Sequence, residues 1–87
     1  MGYEIKISSY VDNKFLILSK KDKDQLNKIS KKLAHIAKNP YHFEPLRGDK
    51  HGARKARVGK YRIIYEIKES QNIVLILDYG HRKEIYG

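Results

Sequence analysis

Seven basic residues crowd one sixteen-residue stretch: Arg47, Lys50, Arg54, Lys55, Arg57, Lys60 and Arg62, against Asp49 alone. Four of the chain's five arginines lie there, and the fifth, Arg82, stands in "GHRKEIY" near the end. Arginine's planar fork suits bidentate phosphate binding better than lysine's point charge does. The most concentrated part, "RVGKYRIIYEI" (residues 57–67), interleaves this charge with tyrosine. Such a set is not chemically idle. Cleavage of RNA by attack of a 2′-hydroxyl on the adjacent phosphate requires no metal. It requires a group to take the 2′ proton, a group to protonate the leaving 5′ oxygen, and positive charge for the crowded phosphorane. Lysine and arginine supply charge, a lysine depressed by neighbouring cations can act as base, and tyrosine can orient the nucleophile or share proton transfer. Tyrosine and histidine rings also stack on unpaired bases. The same residues serve plain RNA binding, and by themselves they leave both readings open.

Other chemistries find less support. No HExxH, CxxC, GxGxxG or P-loop pattern occurs, and the four histidines (His35, His42, His51 and His81) show no metal-ligand spacing, so no metal or other cofactor is expected. Asp78 is the only acid in an apolar strand context, which gives no carboxylate pair. Cysteine is absent, so neither disulfides nor thiolate metal sites are available. No segment is apolar enough to cross a bilayer, and "MGYEIK" opens no signal peptide. A cytoplasmic protein of one domain, residues 1–87, is expected.

The net charge of +9 favours a polyanionic partner, meaning nucleic acid, an acidic protein or an anionic membrane surface. Two lysine-rich regions differ in kind. Residues 20–38 carry seven lysines and two aspartates spread around a helix, as on a solvated face, whereas residues 47–62 concentrate arginine.

The elements that must position these residues follow from periodicity. "YEIKISS" alternates as a half-buried strand. "YVDNKFLILS" admits two readings: "FLILS" alone would pass for a strand, but Val11, Phe15 and Leu18 sit at helical spacing and favour a short helix ending near Ser19. Ser19 or Asp22 then caps a second helix, whose stripe is Leu26, Ile29, Leu33, Ile36 and Ala37 and whose end is Asn39-Pro40. The two form an antiparallel hairpin. "YHFEPLRGDKHG" reads as a loop, followed by strands near 53–58, 61–68 and 72–79 with turns at Gly59-Lys60 and Glu69-Ser70-Gln71. "GHRKEIYG" reads as a turn or strand end, with Gly59 and Gly80 as turn glycines. The fold expected is α+β: an N-terminal strand, a two-helix hairpin and a three-stranded antiparallel meander, with the helices on one face of a small twisted sheet. On the strand 61–68, Tyr61, Ile63, Tyr65 and Ile67 would face the core. Arg62 would then lie on an open basic face with whichever of Arg54 or Lys55 and Arg57 points the same way.

In order, these residues resemble a known family. "LRGDKHGARKARVGKYRIIYEI" followed by "VLILDYGHRKEIY" resembles the C-terminal half of toxins of the RelE/ParE superfamily, and in particular its RelE branch. The pattern RVGxYRxIYEI with GHRxxIY near the end carries the likeness, and "KNPYHFEPLRG" with the two preceding helices extends it over nearly the whole chain. The resemblance implies a toxin of a type II toxin–antitoxin system that cleaves mRNA on the ribosome without metal. It implies a RelB-like antitoxin that wraps the toxin in a hetero-oligomer, and the +9 charge calls for that antitoxin to be acidic. It also implies catalytic roles: Arg62 on the scissile phosphate, Arg82 on transition-state charge, Tyr86 orienting the nucleophile or assisting proton transfer, and Lys55 in proton transfer or phosphate binding. Arg57 matches a further basic position, and with Arg54, Lys60 and His81 it makes up the expected RNA- and phosphate-binding set. Ala53 stands where some members have another lysine, and no C-terminal helix is expected beyond Tyr86. Two alternatives remain: a ParE-like gyrase poison, and a decayed toxin that only binds nucleic acid or antitoxin.

Overall fold

The computed structural model describes residues 2–46 and 52–86, with Tyr86 described by its main chain alone. The sequence's first alternation becomes β1 (Glu4–Ile7). Ser8 then starts α1 (Ser9–Lys21), its Oγ accepting the Val11 N–H at 3.3 Å. The helix runs two residues past the expected Ser19 and buries Val11 and Phe15. One residue separates it from α2 (Lys23–Lys38). That residue, Asp22, serves both helices: its N–H donates to the Leu18 carbonyl and its Oδ1 accepts the Gln25 N–H. Asp22, not Ser19, is therefore the cap. Ile29 and Ile36 are wholly buried along the predicted stripe, with Leu26 and Leu33 beside them. Asn39-Pro40 ends α2 and opens a 3-10 turn, Pro40–His42.

The segment read as a loop contains a two-residue strand, β2 (Glu44–Pro45), too short to leave a periodic signal. The meander follows as β3 (Arg54–Val58), β4 (Tyr61–Lys68) and β5 (Ile73–His81). A five-stranded sheet results, in the order β1-β5-β4-β3-β2. β1 runs parallel to β5 and the other pairs are antiparallel. The two-residue turn between β3 and β4 needs a left-handed residue, and Gly59 supplies it at φ 62°. Gly80, expected in a turn, lies within β5.

The register contains one irregularity that matters. Ile64 pairs with Asp78 but Tyr65 pairs with Ile76, so Leu77 is an extra residue. The bulge resets the alternation, and Val74, Ile76 and Tyr79 all reach the core below α1 and α2. Across the sheet, Ala56, Val58, Ile63 and Tyr65 join them. Tyr65 is fully buried and its hydroxyl donates to the Pro40 carbonyl at 2.6 Å. Tyr61, expected in the core, is 36% exposed at the rim, where its ring stacks on Tyr79 at 5.3 Å.

The chain closes with a helix that was not expected, α3 (Arg82–Tyr86). Its start is a capping box. His81 Nδ1 accepts the Lys83 N–H and Glu84 Oε1 accepts the His81 N–H, both at 3.1 Å. The spacing of "HRKE" is that of a capping box, with histidine in the place usually held by serine or threonine. Among the described residues no helix is long and apolar enough to cross a membrane.

Candidate nucleic-acid interface and active site

Alternation along β3 and β4 decides which basic residues meet. Ala56 and Val58 face the core, so Lys55 and Arg57 face away from the helices. Their partners across the ladder are Ile64 and Arg62. Lys55 and Arg57 are therefore the pair that joins Arg62 on the outer face. Arg54 belongs to the other side of the strand. There it donates from Nη1 to the Phe43 carbonyl at 2.6 Å, and its guanidinium lies 5.2 Å from the Tyr41 ring centroid. It fastens the exit of α2 to β3, on the side away from Arg57 and Arg62.

Arg57 and Arg62 stand directly opposite each other. They form a non-hydrogen-bonded pair, because the tight turn makes Val58 and Tyr61 the hydrogen-bonded one. Side chains approach closest in such a pair. Arg57 is exposed, but Arg62 is only 7% exposed. The reading of Arg62 as open to solvent thus needs correction. The residue points to the outer face, yet its Nη1 folds back onto the hairpin turn, donating to the carbonyls of Gly59 at 3.1 Å and Tyr61 at 2.9 Å. Two fixed hydrogen bonds hold one edge of the guanidinium, which orients the group rather than leaving it to search.

The C-terminal residues come to the same face. Gly80 lies opposite Arg62 in β5, and a Cβ on it would meet Ile85 Cδ1 at 3.5 Å. Hence α3 folds back over this point of the sheet. The Arg82 N–H donates to the Lys60 carbonyl at 2.9 Å, which fixes the start of α3 to the β3–β4 turn. Arg82 is exposed, Lys60 lies exposed in the turn, and His81 is half-buried with its ring edge-on to Tyr61 at 5.5 Å. Tyr86 ends α3, and its side chain lies outside the described residues, as do Arg47, Lys50 and His51. Lys55 is largely buried and lies 3.6 Å from the Glu44 carboxylate.

Chemically, the arrangement sets Arg57 directly opposite the fixed Arg62 guanidinium, with Lys55 on the same face and a capped helix carrying Arg82 beside them. Among the described residues no cluster of three or more His, Cys, Asp or Glu is placed to hold a metal ion. Three contributors were not apparent in the sequence. Glu44 pairs with Lys55. Glu84 completes the α3 cap. Lys14 covers the free edge of β5 beyond β1, donating to the Tyr79 carbonyl at 2.6 Å and lying 3.5 Å from Asp78.

Comparison with known proteins agrees with this architecture. The family model described as the ParE toxin of the type II toxin–antitoxin system parDE matches residues 5–86. A candidate toxin of Methanocaldococcus jannaschii, RelE4, is 32% identical over 85 residues, which are 97% of this chain and 90% of that protein. Among solved structures, the toxin–antitoxin complex RelBE2 of Mycobacterium tuberculosis contains a chain that superposes with a TM-score of 0.79 at 24% identity, covering 94% of this chain and 93% of that one. The archaeal RelE–RelB complex of Pyrococcus horikoshii gives 0.76 at 24% identity, covering 94% and 97%. Matched along nearly all its length, the chain belongs to the ParE toxin family of the RelE/ParE superfamily and is a toxin of a type II toxin–antitoxin system.

Proposed function

We propose that this toxin is an mRNA endoribonuclease acting on the ribosome in the cytoplasm, and that a RelB-like antitoxin silences it. The observation that carries the reading is the meeting of Lys55, Arg57 and Arg62 on one face with α3 seated over Gly80 opposite Arg62. In this reading the 2′ oxygen attacks the adjacent phosphorus as its proton passes to a base. The P–O5′ bond breaks and the leaving oxygen takes a proton. A 2′,3′-cyclic phosphate and a 5′-hydroxyl end result. Arg62, held by the turn carbonyls, and Arg82, carried by α3, stabilise the phosphorane charge. Lys55 serves proton transfer or phosphate binding, and Tyr86 orients the nucleophile. The RelE4 relative and the two RelE-type complexes favour this branch of the superfamily.

The antitoxin has an apolar surface to cover. Tyr10, Leu16 and Ile17 of α1 are each more than half exposed. An acidic, amphipathic segment would bury them while its charge meets the arginine face.

The test is cleavage of a defined mRNA by the purified chain on programmed ribosomes. New 5′-hydroxyl ends that fall about a hundredfold in rate with Arg62→Ala support the reading, and equal rates overturn the assignment of Arg62. A second reading, poisoning of DNA gyrase, is favoured by the match to the ParE family model. Its signature is cleaved DNA with mRNA intact.

A further inference from the structure

β2 covers only Arg54 and Lys55 of β3, so among the described residues no strand lies beside the outer edge of Ala56–Val58. A cleft of about 300 Å³ opens there, lined by Lys32, His42, Phe43, Glu44, Lys55 and Arg57. The backbone contributes as well. The Leu46 N–H donates to the Ala53 carbonyl, and the two-residue alternation turns the Arg57 amide toward the same side, where no β2 residue stands opposite. One wall is aromatic: the His42 ring lies edge-on to Phe43 at 5.0 Å and tilted against His35 at 6.0 Å. Lys32 Nζ stands 5.3 Å from the Phe43 ring centroid. Three cations against one carboxylate make the cleft attractive to an anion, and the exposed His42 ring offers a stacking surface. Lys55 and Arg57 belong both to this cleft and to the candidate cleavage face.

From this continuity we propose that the cleft is a second nucleotide subsite, holding the phosphate and base of a nucleotide that neighbours the cleaved one. The inference rests on the endoribonuclease reading and extends it to a binding path across the edge of β3. The phosphate lies against Lys32 and the Arg57 amide, and the base stacks on His42. Glu44 occupies the anion position beside Lys55 in the unliganded chain and is displaced as RNA enters. Glu44 thus weakens binding, and its neutral amide should strengthen it.

The experiment is NMR titration of the intact chain with a tetranucleotide RNA made uncleavable by 2′-O-methylation. The expected result is that Lys32, His42 and Phe43 signals shift together with Arg57. His42→Ala should weaken binding about fivefold or more and His42→Phe should retain it, since stacking is worth roughly 1–3 kcal/mol per base. Glu44→Gln should tighten binding at least twofold. Shifts confined to the Arg57–Arg62 face, an unchanged affinity in His42→Ala, an absence of binding, or shifts produced by an acidic peptide and not by the RNA would each overturn the subsite. Ribosomal cleavage by the wild-type chain is scored separately. Cleavage with a silent cleft removes the subsite and leaves the nuclease. A responsive cleft without cleavage removes the nuclease and leaves an RNA-binding site.

Discussion

Arg57 and Arg62 face each other across adjacent strands, a placement that a sheet built only for stability avoids, because like charges directly opposite are destabilising. Such a pair makes sense where an anion is to be received. Arg57→Gln should therefore raise stability in urea by a few tenths to about 1 kcal/mol while weakening RNA binding. A loss of both would assign Arg57 to structure instead. Arg62→Lys keeps the charge but gives up the two carbonyl contacts of the guanidinium, so we expect a loss of about 1–2 kcal/mol in stability together with slower cleavage. The core carries a pH signature of its own. Burial pushes the Tyr65 hydroxyl up to about 12. A folded value above the unfolded one near 10 means that the folded state holds this proton more tightly. The contribution is complete below pH 10 and disappears as pH rises from 10 to about 12, amounting to roughly 2–3 kcal/mol. Equilibrium unfolding of wild type and Tyr65→Phe across this range checks it: Tyr65→Phe should be less stable at neutral pH, because the buried Pro40 carbonyl loses its donor, and the difference should narrow above pH 10. Alternation in the sequence shows the face to which Arg62 points. It cannot show that the side chain turns back onto Gly59 and Tyr61, since that depends on the geometry of the turn.

At the scale of elements, α3 is the piece that carries Arg82 to the candidate site, and no periodicity in the sequence announces it. Five residues make no stable helix in isolation. What holds this one is the His81–Glu84 capping box, the Arg82 N–H on the Lys60 carbonyl, and Ile85 over Gly80. Loss of a cap costs about 1 kcal/mol, enough to fray so short a segment. His81→Ala should lower hydrogen-exchange protection of the Lys83 amide and slow cleavage about fivefold, whereas His81→Asn, whose side chain also caps, should restore most of both. Equal protection in the two variants would show that the cap does not position Arg82. The longer elements were legible because each has a period: the stripe of α2, the alternation of β3 and β4, and the doubly apolar run of β5 between its two neighbours. β2 has two residues and no period, and the Leu77 bulge follows from pairing, which local patterning does not contain. The same bulge explains why Tyr79 reaches the core, whereas Tyr61 stays at the rim as the first residue of β4.

At the scale of the whole molecule, the +9 charge sorts into two surfaces. Lysines of α1 and α2 surround a solvated helical layer, whereas Arg57 and Arg62 point to the opposite face of the sheet, where α3 carries Arg82. If the second surface is the one that meets RNA, the logarithm of affinity should fall linearly with the logarithm of salt concentration. Arg57→Gln should reduce that slope by about 0.7, the value of one single-stranded phosphate contact, and removal of Lys28 or Lys31 from α2 should leave it unchanged. The α+β class and the helical hairpin were readable from the chain. The parallel docking of β1 beside β5 was not, because it joins residues about seventy positions apart and is set by packing under α1 and α2. The activity proposed for the arginine face is cleavage of mRNA. The measurement that tests it most directly is to induce the chain in cells and map mRNA 5′ ends genome-wide, with Arg62→Ala and Arg82→Ala alongside. New ends within translated reading frames, in phase with codons, are expected for the wild type and not for either variant. Intact mRNA in wild-type cells whose growth has arrested, with broken DNA in its place, would contradict it.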